Sequence, residues 1–298
     1  MAPSITIASS QLSAAISPLG AELRALTTSA GEQLLWNGDP AFWTARSPIL
    51  FPNIGELAGG VYRYDGQSYA MPKHGFARRS SFAVIAAEAD RAVLRLSASD
   101  ATRAVYPFEF ALDLAYALAG AQLTMAATIA NHGARAMPAS FGFHPALRWP
   151  LPFGASRAEH RLRFAQDEPA AVRRIDAQGL LRPAPEPSPV IGNRLALNDG
   201  LFTDDALIFD QLSSRAVSYG ADHGAQLHVG FADFPALGVW TKPGAGFICI
   251  EPWQGCADPV DFSGDIGDKP GIMMIEPGET RRLTMTITLQ AGCAGAGD

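Results

Sequence analysis

Near the middle of the chain an ionisable ring lies in a short apolar segment, Phe141-Gly142-Phe143-His144-Pro145. An extended backbone places the two phenylalanines and the proline on one face, so His144 points to the other face together with Gly142. Gly142 leaves space beside the imidazole, and the proline ends the strand because it cannot donate a ladder hydrogen bond. The pattern predicts a proton-transfer group at the open end of a strand, where a small ligand could meet it. The alternative is a half-buried histidine that is bonded only to backbone.

Two further regions combine ionisable side chains with turn residues. The first ends in His74-Gly75-Phe76-Ala77-Arg78, and the second contains Glu251-Pro252-Trp253 followed by Pro277-Gly278-Glu279. Each also has a structural interpretation. Histidine and glutamate are common in solvated turns, a carboxylate after an apolar run is commonly buried and paired, and an indole is commonly a core group.

The composition limits the classes of protein that are possible. The 298 residues are 48% hydrophobic and 17% charged, which predicts a globule with a large core. No apolar run reaches the roughly 18 residues of a membrane helix, and the N-terminus lacks the features of a secretory signal, so we expect a cytoplasmic protein. The net charge is −6 and basic residues cluster only in pairs, which argues against nucleic acid as a partner. The sequence leaves the oligomeric state open.

The three cysteines, Cys249, Cys256 and Cys293, form no paired or metal-ligand spacing. We therefore expect neither a disulfide framework nor a structural metal site.

Period-two alternation of apolar and polar residues predicts the elements that position these side chains. The clearest hairpin joins 108–115 to 122–129 through a turn at Ala119-Gly120, and the last strand runs over 283–289. No segment shows a strong helical period, and the stretch 150–189 is a proline-rich excursion with one short strand near 162–164. Further strands are predicted at 206–209, 216–219, 226–229, 237–241, 247–251 and 273–276. Many short strands without intervening helices favour an all-β sandwich or barrel, as one domain over 1–298.

In its motifs the chain resembles the aldose 1-epimerases, or galactose mutarotase-like proteins. Within them it is most similar to the bacterial branch near the hexose-6-phosphate 1-epimerases. The resemblance spans nearly the whole chain. It rests on five motifs in the family's order: Leu50-Phe51-Pro52, His74-Gly75-Phe76-Ala77-Arg78, Phe141-Gly142-Phe143-His144-Pro145, Glu251-Pro252-Trp253 and Pro277-Gly278-Glu279.

The resemblance implies a large antiparallel β-sandwich with few short helices and a sugar cleft on a concave face. It implies that a monosaccharide or sugar phosphate changes between its α and β anomers with no metal or organic cofactor. The family's two histidines fall on His144 and His74, and its carboxylate after Pro-Gly falls on Glu279. Opening a cyclic hemiacetal requires one group to remove the proton of the C1 hydroxyl and another to protonate the ring oxygen. We therefore assign Glu279 as base and His144 as acid, and we expect Glu251 to bind the sugar or to be the rival base.

The remaining candidates would bind the sugar. His74 would stabilise developing charge near C1, and an exposed face of Trp253 could stack on the sugar ring. Arg78 could bind hydroxyls or, as in the phosphosugar branch, a phosphate. Glu56 stands where many relatives carry an arginine, which argues mildly for a neutral aldose, and Asp205 resembles a family aspartate that binds sugar hydroxyls. The alternatives are a hexose-6-phosphate 1-epimerase and a non-catalytic sugar-binding protein on the same fold.

Overall fold

Antiparallel strands form nearly all of the regular structure in residues 3–292, the part of the chain that this computed structural model describes. A single α-helix in this range, α1 (Asp100–Arg103), has a capping box formed by Ser99 and Thr102. Short 3₁₀ turns occupy Ala58–Gly60, Ala77–Arg79, Arg157–Glu159, Asp199–Phe202 and Ile266–Asp268. The strands are, in chain order, β1 (Ile5–Ala8), β2 (Leu12–Ile16), β3 (Leu23–Thr28), β4 (Ile49–Leu50), β5 (Val61–Tyr64), β6 (Gln67–Ala70), β7 (Ala83–Ala87), β8 (Arg91–Ser97), β9 (Phe110–Ala119), β10 (Gln122–Asn131), β11 (Met137–Ala139), β12 (Phe141–Phe143), β13 (Ala146–Arg148), β14 (Arg161–Phe164), β15 (Arg194–Ala196), β16 (Leu207–Phe209), β17 (Ala216–Gly220), β18 (Gln226–Gly230), β19 (Ala236–Trp240), β20 (Phe247–Gln254), β21 (Met273–Ile275) and β22 (Thr280–Gln290).

Two large sheets carry the fold. The first has nine strands in the order β15-β14-β17-β18-β22-β10-β9-β8-β7, and the second has six, with β16-β19-β20-β12-β4 in order and β13 also paired to β20. One apolar core cluster contains side chains from both sheets, for example Leu114 and Ile287 from the first and Phe141 and Ile250 from the second. Three smaller sheets, β1-β2-β3, β5-β6 and β11-β21, complete the structure. The predicted all-β sandwich is confirmed.

The hairpin that the alternation predicted lies at the centre of the nine-stranded sheet. β9 and β10 pair in register from Ala119 opposite Gln122 to Phe110 opposite Asn131, and β22 pairs with the other edge of β10. Apolar residues at every second position enter the core because successive side chains of a strand point to opposite faces. The regular part of the hairpin is longer than the predicted strands because both partners continue the ladder past their alternating stretches.

Strand β20 carries two of the residues that the sequence proposed for the site, Glu251 and Trp253. Ile248 and Ile250 lie in the core cluster, so Cys249, Glu251 and Trp253 point to the opposite face of the sheet. The strand continues to Gln254, beyond the predicted end at Glu251, because β12 supplies a further partner: Gly142 lies opposite Trp253. The carboxyl group of Glu251 and the indole of Trp253 therefore lie on the same face of the six-stranded sheet, the face that points away from the core.

Among residues 3–292, no helix has the length and apolar character that a membrane crossing demands. Cys249 and Cys256 carry free thiols. Cys293 lies outside the described residues.

Candidate active site

A cavity of about 250 Å³ opens on the face of the six-stranded sheet that points away from the core. Its wall combines charged groups, indoles and small apolar side chains. Six of the seven residues that the sequence proposed for the site line this cavity: His74, Arg78, His144, Asp205, Glu251 and Trp253. The seventh, Glu279, does not.

His144 lies in a break between two short strands that both pair with β20. β12 ends at Phe143 and β13 begins at Ala146, so the strand is interrupted at His144 and Pro145, where the sequence placed its end. The two phenylalanines of β12 are fully buried in the core, and the imidazole turns the other way. Its Nε2 lies 3.2 Å from Oε2 of Glu251, and both side chains are more than 90% buried. The result is a close imidazole–carboxyl pair at the base of the cavity.

The space beside His144 is filled differently from the sequence prediction. A Cβ at Gly142 would approach Cδ1 of Trp253 to 2.8 Å, and a Cβ at Gly238 would approach the same indole to 2.6 Å. The absence of a side chain at the two glycines therefore leaves space for the indole of Trp253. The expectation that Gly142 makes room for a ligand beside the imidazole is wrong. Trp253 is 6% exposed, packs with Leu50 and also lines the cavity, so it is both a core residue and a wall of the site.

His74 is held by an unusual backbone. Its φ is +64° and that of Gly75 is +71°, both in the left-handed region. The N–H of Gly55 donates to Nδ1 of His74 over 3.0 Å, which leaves the ring proton of the neutral imidazole on Nε2. The ring meets His144 edge to face, with centroids 5.8 Å apart. The backbone thus orients a neutral N–H donor beside the pair.

Arg78 lines the cavity and also forms a hydrogen bond that stabilises the loop around His74. Nη2 of Arg78 donates to the carbonyl oxygen of Lys73 over 2.7 Å, which ties together the two ends of the His74 loop. Lys73 lines the cavity as well, so two cations face the same space. Sequence reasoning assigned no role to Lys73, because a lysine in a turn is ordinarily solvated.

Two tryptophans that the sequence did not single out enclose His144. The indole of Trp43 lies over the imidazole with centroids 5.0 Å apart and a 31° interplanar angle, and Trp240 meets it edge-on at 6.0 Å. Both indoles line the cavity. For Trp240 a signal existed, since in β19 it alternates with the core residues Leu237 and Val239 and so points to the other face. Trp43 lies in an irregular loop, where periodicity gives no information.

Burial dominates the electrostatics of the pair. It lowers the pKa of His144 to about 3, with Arg78 and Lys73 acting in the same direction. Burial also raises the pKa of the Glu251 carboxyl well above its usual range, and nearby Asp205 reinforces that shift. Both shifts favour uncharged groups, because a charge is poorly solvated in the interior. The two shifts act in the same sense on the pair: they favour a protonated carboxyl at Glu251 and an unprotonated Nε2 at His144 that can accept a proton.

His74 is neutral for the same reason. Burial lowers its pKa well below the usual range, and His144, Arg78 and Lys73 add to the effect. An uncharged imidazole can donate its Nε2–H without adding a positive charge to the cavity.

The raised pKa of Glu251 predicts a pH-dependent stability. Above pH 4.5 the carboxyl ionises in the unfolded chain but keeps its proton in the folded one, so this group costs about 1.4 kcal/mol of stability per pH unit until its folded pKa is passed. In Glu251→Gln this cost is removed. We expect the Tm of the variant minus that of the wild type to become more positive from pH 5 to pH 9, measured by calorimetry in matched buffers. A difference that stays constant with pH would contradict a buried, protonated Glu251.

The structure contradicts the predicted position of Glu279. Its carboxylate accepts from the N–H of Glu276 over 3.3 Å and pairs with Arg281 at 3.5 Å, and the side chain is 46% exposed. It occupies the solvated turn before β22, a strand of the nine-stranded sheet, and takes no part in the cavity that contains His144. The prediction that His144 and Glu279 face each other across one pocket is wrong, and Glu251 is the carboxyl group that faces His144.

Asp205 stands at the rim with a positive φ of +64°. Its Oδ1 accepts from the N–H of Ala206 over 2.7 Å, which fixes the side chain. The neighbouring Asp204 does not line this cavity.

One group of side chains in residues 3–292 is close enough to hold a metal ion. Donor atoms of His144, Cys249 and Glu251 lie within 4.8 Å of one another. Metal binding requires a thiolate, but burial and the adjacent Glu251 raise the pKa of the Cys249 thiol well above its usual range.

Comparison with known proteins places the chain in a family. A family model described as aldose 1-epimerase matches residues 3–288. The chromosomal LacX protein of Lactococcus lactis subsp. lactis is 28% identical over 281 residues, which cover 91% of this chain and 94% of the relative. A galactose mutarotase-like protein from Lactobacillus casei ATCC 334 is 28% identical, with a TM-score of 0.89 over 96% of this chain and 100% of that one. A galactose mutarotase related enzyme from Lactobacillus acidophilus is also 28% identical, with a TM-score of 0.88 over 98% of each chain. The motifs, the sandwich and these matches agree, and the chain belongs to the aldose 1-epimerase family.

Proposed function

We propose that this protein is a cofactor-free aldose 1-epimerase that interconverts the α and β anomers of a hexose. The observation that carries the proposal is the pair of His144 and Glu251, 3.2 Å apart at the base of a cavity of about 250 Å³. Anomer exchange requires one proton donor and one proton acceptor at neighbouring oxygens, and this pair supplies both without adding a net charge to a buried site.

The chemistry balances with these two groups. His144 accepts the proton of the C1 hydroxyl while Glu251 donates its proton to the ring oxygen, the bond between C1 and that oxygen breaks, and an open-chain aldehyde forms. Rotation about C1–C2 presents the other face of the carbonyl. The ring hydroxyl then attacks C1 and returns its proton to the glutamate, while the imidazolium protonates the new C1 oxygen. The assignment of acid and base is the reverse of the sequence-based one, because burial favours the uncharged carboxyl of Glu251 and the uncharged imidazole of His144.

Neighbouring residues would position the sugar. The Nε2–H of neutral His74 can donate to the C1 region and stabilise charge that develops there. Asp205 can accept from ring hydroxyls, and the indoles of Trp43, Trp240 and Trp253 offer apolar surfaces for the C–H faces of the ring. A cytoplasmic location stays a prediction from the sequence.

A specific observation supports a second candidate, a hexose-6-phosphate 1-epimerase. Lys73 and Arg78 both line the cavity, and neither forms an ion pair within residues 3–292. Glu56, which argued for a neutral sugar, is not part of the cavity wall, although its charge raises the pKa of Arg78 against the lowering by burial. The charge of the cavity is thus compatible with a phosphate on the sugar.

The test is direct measurement of anomer exchange. Two-dimensional exchange NMR on glucose, galactose and glucose 6-phosphate, at equilibrium and with heat-denatured protein as control, reports the rate for each sugar. We expect exchange far above the spontaneous rate for at least one of them, and a preference for the phosphorylated sugar would select the second candidate. If a sugar binds but none exchanges faster than with denatured protein, the protein is a sugar-binding module.

A further inference from the structure

A second cavity, of about 500 Å³, is lined by residues that differ from those of the cavity around His144 and Glu251, the sugar pocket. Its lining includes two arginines, a glutamine, an asparagine and two tryptophans, and no aspartate or glutamate among the described residues. The chain as a whole has a net charge of −6, so a wall that contains only cations among its charged groups is a local exception. The polar and aromatic residues that define this second cavity are Gln33, Trp36, Asn37, Arg46, Arg148 and Trp149.

Two adjacent segments build both cavities. One carries Trp43 and Arg46, and the other carries His144 and Arg148; in each, the first residue lines the sugar pocket and the second lines the second cavity. The segments are bonded where they meet, since the N–H of Ala146 donates to the carbonyl oxygen of Arg46 over 2.8 Å. The Nε1–H of Trp36 also donates to the carbonyl oxygen of Trp43 over 2.8 Å. The segments that line the two cavities are therefore bonded to each other just after His144 in the chain.

Neither arginine of the second cavity forms an ion pair within residues 3–292, whereas most arginines of this chain do. Arg46 donates from Nη1 to the carbonyl oxygen of Arg24, but its Nε is buried and has no acceptor. The nearest carboxylate, Glu22, is already bound by Arg24 and by the N–H groups of Arg46 and Ser47. The guanidinium group of Arg46 thus has no carboxylate partner within residues 3–292, and an anion in the second cavity would supply an anionic partner.

We propose that the second cavity is a binding site for the phosphoryl or carboxyl group of a small molecule. Guanidinium groups bind the oxygen atoms of both anions through paired hydrogen bonds, and the carboxamides of Gln33 and Asn37 supply further donors. The volume lies within the roughly 300–1,000 Å³ of small-molecule sites and leaves room for more than the anionic group itself. An anion that bridges Arg46 and Arg148 would join the segment of Trp43 to the strand that carries His144. The proposal concerns binding and does not depend on the sugar chemistry.

The experiment is a titration of the full-length protein with inorganic phosphate and, separately, with acetate, by calorimetry at constant ionic strength set with chloride. We expect saturable binding of at least one anion. Arg148→Gln and Arg46→Gln should each weaken the affinity by about tenfold or more, the value of a hydrogen bond to a charged group. Arg91→Gln is the matched control, because Arg91 is an exposed arginine of β8 that forms no ion pair within residues 3–292. The affinity of the Arg91→Gln variant for the anion should equal that of the wild type.

A double variant separates this site from the sugar pocket. Lys73→Gln with Arg78→Gln removes the cations of that pocket and should leave the affinity for the anion unchanged. The proposal is overturned if neither anion binds saturably, or if the double variant abolishes binding while Arg148→Gln does not. Because Arg148 is exposed, its substitution is not expected to disturb folding, and the Tm of each variant checks this.

Discussion

Glu251→Gln is expected to lower the rate of anomer exchange by about 10²–10⁴-fold, the usual contribution of a general acid or base. Glutamine keeps the size of the side chain and its contact with His144, but it cannot give a proton to the ring oxygen or receive one back. The loss should appear in kcat, whereas sugar affinity should change little, because hydrogen-bonding capacity at that position remains. Exchange NMR over a range of sugar concentrations measures both quantities.

Glu279→Gln is the matched control, since it makes the same chemical change at the other carboxylate that the sequence proposed. Its side chain bonds only within its own turn and to Arg281, so exchange should proceed at nearly the wild-type rate. The reverse result, with Glu279→Gln inactive and Glu251→Gln active, would refute the assignment of the carboxyl group. Equal loss in both variants would contradict the separation of the two sites.

Gly75→Ala is expected to destabilise the fold by about 3 kcal/mol or more, because two costs add at this position. With φ at +71° the residue is in the left-handed region, which disfavours any side chain. A Cβ there would also lie 2.1 Å from the carbonyl oxygen of Phe51, which accepts from the N–H groups of Phe76 and Ala77. The backbone would have to move, and His74 would move with it. Urea unfolding at a constant m-value measures the effect.

Gly66→Ala isolates the conformational part of this cost. Gly66 has a φ of +74°, but a Cβ there meets nothing within 4 Å, so only the left-handed conformation is penalised. We expect a loss of about 1–2 kcal/mol. If the two variants were equally destabilised, the close approach of Gly75 to Phe51 would not contribute to stability.

The alternation of side chains along the sequence predicted most of the architecture. The hairpin of β9 and β10, the short strand β14 inside the proline-rich excursion and the strands from β16 onward all occur near their predicted positions. Strand periodicity is a local property, since it depends only on which neighbouring side chains point to the same face. The five motifs are also local, and they indicate the family without any knowledge of the tertiary structure.

The arrangement of side chains in the site depends less on local sequence than the strands and motifs do. Phe141, Phe143 and His144 behave as their spacing predicted, because the pleat of one strand determines which side each residue faces. What stands opposite the imidazole depends on pairing between segments about 100 residues apart, and no pattern within either segment specifies that register. For this reason Gly142 accommodates Trp253, and the irregular loop of Trp43 covers the histidine.

Glu251 and Glu279 show most clearly which properties depend on the sequence and which depend on the tertiary structure. The sequence by itself determined an all-β sandwich and a histidine that emerges from a strand break, and it offered two carboxylates of the same chemistry. Only the tertiary structure decided between them, by placing Glu251 on the strand that pairs with both sides of His144 and Glu279 in a solvated turn. The physical reason is that a carboxyl group becomes a proton donor at neutral pH through burial, and burial is a property of the assembled sheets rather than of any short segment.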